Sequence, residues 1–249
     1  MSKVKIHKPE DFEHMRAAGR LAASVLDYIA PFIKEGISTL ELDKLCYEYI
    51  ISKGAIPASL NYEGYPNSTC ISLNYVVCHG IPGPERLRIG DILNIDVAVI
   101  LKGWFGDTSR MFTVGNVSKS AEKLIKVTHE ALMKAIALVR PGARLNDIGN
   151  CIEDFVNNHG FSVVRDYCGH GIGQTYHAEP QVLHYRNQEN KLILKEGMFF
   201  TIEPMINAGV PDVFLLEDDW TVVTQDLSLS AQFEHSIGVT ASGAEIFTL

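Results

Sequence analysis

Four carboxylates and one imidazole in this chain are of the types that bind cations, and the pattern around each turns it inward: Asp96, Asp107, His170, Glu203 and Glu234. Asp96 lies in the apolar run Ile92 to Leu101, Lys102-Gly103 is a turn, and Trp104 opens a returning strand. A two-residue loop sets Leu101 opposite Trp104 and Ala98 opposite Asp107. Asp107 then lies diagonal to Asp96 on one sheet face, with Cβ atoms about 7 Å apart. Two buried carboxylates side by side are costly unless something positive holds them, and a divalent cation is the direct remedy. Taken alone, the hairpin also fits a solvated face with two surface aspartates.

The elements that must carry these residues repeat. Pro9-Glu10-Asp11 opens a helix running through Met15, Leu21, Leu26 and Ile29, and Ser38 or Thr39 caps a second that closes at Gly54. From Ile56 to Val77 the pattern is short strands and loops. Ser118 or Ser120 then caps a helix through Leu124, Val127, Leu132 and Ile136, and another carries Ile148, Ile152, Phe155 and Val156 to Gly160. Gly36 to Gly54 and Gly142 to Gly160 are both 18 residues, with apolar residues at the same offsets. Gly90 precedes Asp96 by six residues across an apolar strand, and Gly197 precedes Glu203 by six across another. Two diverged copies of one α-α-β unit, about 9–115 and 116–249, within a single catalytic domain 1–249, are the expected organisation. A two-fold relation would bring Asp96 and Glu203 to facing positions at the centre. Glu234, flanked by Phe233, His235 and Ile237, points to the face opposite its apolar neighbours.

Three histidines have distinctive settings. His170 lies in Cys168-Gly169-His170-Gly171-Ile172-Gly173, where glycines permit close backbone approach; the spacing is not that of a dinucleotide-binding loop. His177 follows seven residues later, and His79 sits between Cys78 and Gly80. Four carboxylates with one imidazole form an oxygen-rich set whose charge balances two divalent ions, so a binuclear hydrolase is the chemistry inferred from the residues.

At these positions the sequence resembles the type I methionine aminopeptidases, over essentially the whole chain. The matching stretches include Cys78-His79-Gly80-Ile81-Pro82, Asn94-Ile95-Asp96-Val97, Gly106-Asp107-Thr108-Ser109, Gly169-His170-Gly171-Ile172-Gly173, Phe200-Thr201-Ile202-Glu203-Pro204 and Gln232-Phe233-Glu234-His235. The resemblance implies an α+β pita-bread fold, with two pseudo-two-fold related halves around a curved antiparallel sheet. It implies that Asp96, Asp107, His170, Glu203 and Glu234 hold two divalent ions (cobalt, manganese, iron(II) or zinc), with Asp107 and Glu234 bridging both. The implied reaction removes N-terminal methionine from nascent polypeptides, near the ribosome, when the second residue is small. Glu203 would relay a proton from the metal-activated water, and His79 and His177 would contact the substrate. Tyr62, Tyr65, Cys70, Tyr176 and Trp220 resemble a methionine side-chain pocket. Two departures stand out: Asp218-Asp219-Trp220 replaces the family's Asp-Gly-Trp, and Val210 to Leu216 is less charged than the family pattern.

Composition bounds the alternatives. Hydrophobic residues make up 46% of the 249, enough for a well-buried core, and a net charge of -8 with no basic run argues against nucleic acid. The polar start Met1 to Lys8 is not followed by an apolar leader, no stretch reads as a membrane span, and five dispersed cysteines give no disulfide scaffold. The expectation is a monomeric, bacterial-type enzyme of the reducing cytoplasm. The rival readings are an X-Pro aminopeptidase or prolidase of the same fold, for whose extra N-terminal domain the chain has no room, and a catalytically silent pita-bread binding module.

Overall fold

The capping residues and apolar spacing set the helices of the computed structural model, which describes residues 4–188 and 191–249, leaving Met1 to Lys3 outside. Helix α1 (Pro9–Ile29) begins with proline, and its Asp11 carboxylate accepts the Lys8 N–H at 3.0 Å. Helix α2 (Thr39–Ser52) is capped by Ser38, whose Oγ accepts the Glu41 N–H while Glu41 accepts the Ser38 N–H, a reciprocal box. Ser118, rather than Ser120, caps α3 (Lys119–Ile136), and α4 (Asn146–Asn158) starts without a side-chain cap.

The strands Ile92–Leu101 and Trp104–Thr113 form the expected hairpin, with Leu101 opposite Trp104 and Ala98 opposite Asp107. They lie in an antiparallel sheet that continues through Glu234–Val239, Phe199–Ile202, Gly169–Gly171 and Ala178–Val182. Leu93, Ile95, Val97 and Val99 pack beneath α1 and α2, while Phe200, Ile202, Ile237 and Val239 pack beneath α3 and α4. Strand alternation therefore turns Asp96, Asp107, Thr201 and Glu234 toward the face the helices leave open.

The repeat is visible in the backbone. Gly36, Gly54 and Gly90 have φ of +88°, +71° and +99°, and their counterparts Gly142, Gly160 and Gly197 have +86°, +81° and +86°. Each is a left-handed position that glycine occupies without a Cβ penalty. Gly36 N–H donates to Leu87 and Gly142 N–H to Leu194, the same closure in each half. One expectation changes. Trp104–Thr113 and Glu234–Val239 pair directly, so Asp107 and Glu234 occupy the central strands, with Asp96 and Glu203 outside them rather than facing each other. Each half contributes a pair of neighbouring strands, and the later strand of each pair meets at the seam.

Helix α1 approaches the hairpin at Gly106, where an added Cβ would overlap the Ala18 carbonyl, a backbone group that cannot swing away. Gly106→Ala is expected to destabilise the protein by about 1–3 kcal/mol, as overpacking does. At roughly 2–4 °C per kcal/mol for a chain of this size, a thermal melt lowered by less than one degree would show that α1 yields at this contact.

Candidate metal centre

The site is built from strand-borne acids on its floor and loop-borne rings on its walls. Ligand atoms of Asp107, His170 and Glu234 lie within 4.8 Å of one another. His170 Nε2 stands 3.5 Å from Asp107 Oδ2 and 3.6 Å from Glu203 Oε1. Asp96 lines the same cavity, a space of about 610 Å³ that also holds His79, His177 and all five residues of the expected methionine pocket. The sequence-derived set is thus brought to one place.

Among the described residues no lysine or arginine lines this cavity, and burial decides the charge state of its groups. Desolvation pushes Asp96, Glu203 and Glu234 well above the ordinary carboxylate range and Asp107 to about 7. For Asp96 and Glu234 the charge of Asp107 adds to that rise; for Glu203 a hydrogen bond from Thr201 opposes it. Burial likewise keeps His170 neutral, its pKa lowered to about 4. Asp96 Oδ1, Asp107 Oδ1 and Glu234 Oε1 are buried oxygens with no hydrogen-bond partner. Orphaned, acceptor-only atoms in a dry cluster are what divalent cations satisfy, so the residues present fit metal ions.

A supporting layer, which the sequence did not single out, fixes these groups. Thr201 Oγ1 accepts the His170 N–H at 3.0 Å and donates to Glu203 Oε1 at 2.7 Å, tying two of the five together. His184 Nε2 accepts the Glu203 N–H at 3.1 Å, the role of a neutral imidazole, and its pKa is lowered by burial to about 3. Gln232 Nε2 reaches Glu203 Oε2 at 3.4 Å. Only the two-residue spacing of Thr201 from Glu203, which puts both on one strand face, hinted at this, because the other contacts join residues far apart in the chain.

The walls form two groups. His177 Nδ1 is 2.8 Å from the Tyr62 hydroxyl and its ring stacks on Tyr176, with centroids 4.1 Å apart. Across the cavity, Trp220 meets Tyr65 edge-on at 5.1 Å and His79 at 6.2 Å, and Tyr167 packs against His79 at 5.5 Å. Tyr62 and Tyr176 therefore accompany His177, while Tyr65 and Trp220 stand with His79. His79 is held at φ +56°, a conformation a histidine adopts only under constraint. Asp219, at the family's glycine, keeps the left-handed backbone at φ +63°, and Asp218 supports that turn by accepting the Trp220 and Thr221 N–H groups.

The model of metallopeptidase family M24 matches residues 13–241. A methionine aminopeptidase of Rickettsia prowazekii is 57% identical over 99% of this chain and 95% of the relative, and its crystal structure superposes with a TM-score of 0.98. The chain belongs to family M24, among the methionine aminopeptidases. The Escherichia coli K12 methionine aminopeptidase is 55% identical over 99% of the chain and 94% of its own length. A prolidase of Pyrococcus horikoshii shares the pita-bread fold, with a TM-score of 0.79 over 98% of this chain and 63% of the prolidase, at 22% identity. This M24 chain is thus a metallopeptidase whose carboxylate cluster is built for divalent metal.

The electrostatics give a sign. Each of the four carboxylates has a folded pKa above its unfolded value, so without metal their contribution is full at low pH and is lost as pH rises through the folded value, about 7 for Asp107. Metal needs the deprotonated forms and offsets that loss. The rise in Tm on adding manganese(II) to chelated protein is therefore expected to be larger at pH 8 than at pH 6. An equal or smaller rise at pH 8 would show that these groups are already ionised without metal.

Proposed function

We propose that this chain removes the N-terminal methionine from nascent proteins whose second residue is small. The observation that carries the reading is the joining, in one cavity, of an acidic floor lacking any basic partner with a wall of Tyr65, Cys70 and Trp220. Identity of 57% to a methionine aminopeptidase over nearly the whole chain supports the same choice, whereas the prolidase likeness carries the fold alone. Residues 1–249 act as one catalytic domain of two repeats, about 9–115 and 116–249.

In this reading Asp96, Asp107, His170, Glu203 and Glu234 would hold two divalent ions. When bound, the ions lower the pKa of water and polarise the scissile carbonyl. Glu203 accepts the proton: its carboxylate is pre-oriented by Thr201 and Gln232, and its burial favours the protonated form it then holds. Tyr62 fixes the Nδ1 side of His177, leaving Nε2 to hydrogen-bond the substrate peptide, and His79 steadies it from the opposite wall. Tyr62, Tyr65, Cys70, Tyr176 and Trp220 enclose the methionine side chain. The ions are drawn from cobalt, manganese, iron(II) and zinc. The protein works in protein maturation as a cytoplasmic monomer close to the ribosome, and among the described residues no helix is long and apolar enough to cross a membrane.

The decisive assay follows free methionine released from Met-Gly and Met-Lys peptides by chelated protein resupplied with single metals. Metal-dependent cleavage of the Met-Gly peptide alone is expected; cleavage of an X-Pro peptide in its place would overturn the assignment. Glu203→Gln is expected to lower turnover by about 10²–10⁴ with the fold retained, the span of a general acid–base group. His177→Ala should lose turnover with metal content unchanged by elemental analysis, and a loss of bound metal would instead put His177 among the ligands.

A further inference from the structure

The outer strand of the smaller sheet beside the site carries an exposed feature that the reaction does not use. That sheet runs Val213–Leu215, Val222–Thr224 and Val76–Cys78, and Val213–Leu215 is its edge among the described residues. Leu216 N–H donates to Thr221 and Gln225 N–H to Asp212, so alternation directs the amide groups of Val213 and Leu215 outward, away from the partner strand. Natural edges are guarded by lysine, proline or a covering element. This one presents Phe214, Leu215 and Leu216 at 46%, 51% and 38% exposure. Val210 and Leu227 extend the patch from the neighbouring turn, which the Asp226 carboxylate ties by accepting the Val210 N–H at 2.8 Å. Leu227 is held at φ +57°, a strained backbone for an exposed leucine.

Charge selects the occupant. From Glu196 to Leu249 the chain has no lysine or arginine, and Asp212, Glu217, Asp219 and Asp226 stand exposed around the apolar residues. Nucleic acid and anionic lipid are repelled by such a surface, and a second copy paired edge to edge would bring these acids against one another. We propose that this edge is a docking site for an extended, basic segment of a protein partner, which adds a strand to Val213–Leu215 and sets its apolar side chains along the face of Phe214 and Leu216 and its alternating lysine or arginine on the other face, toward the exposed acids. The sheet leads directly into the catalytic cavity, since Val76–Cys78 runs into His79 and the turn after Leu215 carries Trp220. A partner held here stands beside the emerging substrate, a function distinct from catalysis.

The test is fluorescence anisotropy on the metal-loaded enzyme with a labelled, N-acetylated peptide of alternating lysine and valine, roughly eight residues long so that it outspans the strand. Acetylation denies it the N-terminal amine an aminopeptidase needs. Saturable binding is expected, with none for the matching glutamate–valine peptide. Leu215→Pro removes the outward N–H, and the double variant Asp212→Lys with Glu217→Lys reverses the charge. Each should weaken binding about tenfold or more while Met-Gly turnover and the melt stay unchanged. Should Leu215→Pro fail to fold, the charge reversal decides alone. Unchanged affinity in the folded variants overturns the proposal, as does equal binding of the acidic peptide. A concentration-dependent dimer abolished by the charge-reversed pair also overturns it, by giving the edge to a second copy.

Discussion

The repulsion among four buried carboxylates that lack a basic partner is the constraint on which the rest of the molecule depends. Two unit charges 4 Å apart interact by about 4 kcal/mol even at an effective dielectric of 20, a large fraction of a domain's net stability. Asp96, Asp107, Glu203 and Glu234 face this without a lysine or arginine in the cavity among the described residues. Without metal, protons remain on these groups, since burial raises the pKa of all four and carboxylate charge adds to it for Asp96, Glu203 and Glu234. Divalent cations relieve it while leaving the oxygens ionised. The fold's task is to hold the acids together against their mutual cost, and it does so by mounting Asp96, Asp107 and Glu234 on paired strands and Glu203 directly after another.

The two-fold plan divides that cost. One hairpin supplies Asp96 and Asp107, and the paired strands of the other half supply Glu203 and Glu234, each set backed by its own helix pair. Asp107 and Glu234 meet on the central seam, where Ser236 Oγ donates to the Asp107 carbonyl and Thr108 Oγ1 to the Glu234 carbonyl. These crossed bonds lock the register of the seam at the two residues that matter most. His170 breaks the symmetry: its strand flanks Phe199–Ile202 as Cys70–Leu73 flanks Ile92–Leu101, but Cys70–Leu73 carries no histidine, and Thr201 joins His170 to Glu203.

Much of this was legible in the sequence because it rests on short-range rules. Lys102-Gly103 set the hairpin register, and with it the shared face of Asp96 and Asp107, while matched glycine spacings revealed the repeat. The strand order at the seam was not legible, since no local signal says which strand of each unit pairs across the two-fold. Asp96 and Glu203 consequently lie outside the central pair instead of facing each other. His184 and Gln232 were equally hidden. Each reaches Glu203 from a remote segment, and a buried histidine or glutamine carries no periodicity of its own.

The two kinds of residue in the cavity sit on two kinds of backbone. The acids ride on regular or strand-adjoining segments, where ladder hydrogen bonds fix them, whereas several of the rings that wall the cavity stand at or beside left-handed positions. His79 is at φ +56°, Tyr62 lies between Asn61 at +65° and Glu63 at +50°, and Trp220 follows Asp219 at +63°. Such conformations persist only where the surroundings over-determine them. The carbonyl of Ile71 blocks a Cβ at Gly80, next to His79; the Tyr65 hydroxyl donates to the carbonyls of Thr69 and Gly80; Asp218 closes the turn before Trp220. Asp219 holds its left-handed turn without a glycine, because aspartate tolerates that region better than most residues. A strained loop can aim a ring at a point that no strand alternation reaches, and this is how a sheet whose side chains stand in rows comes to be walled by rings around one cavity.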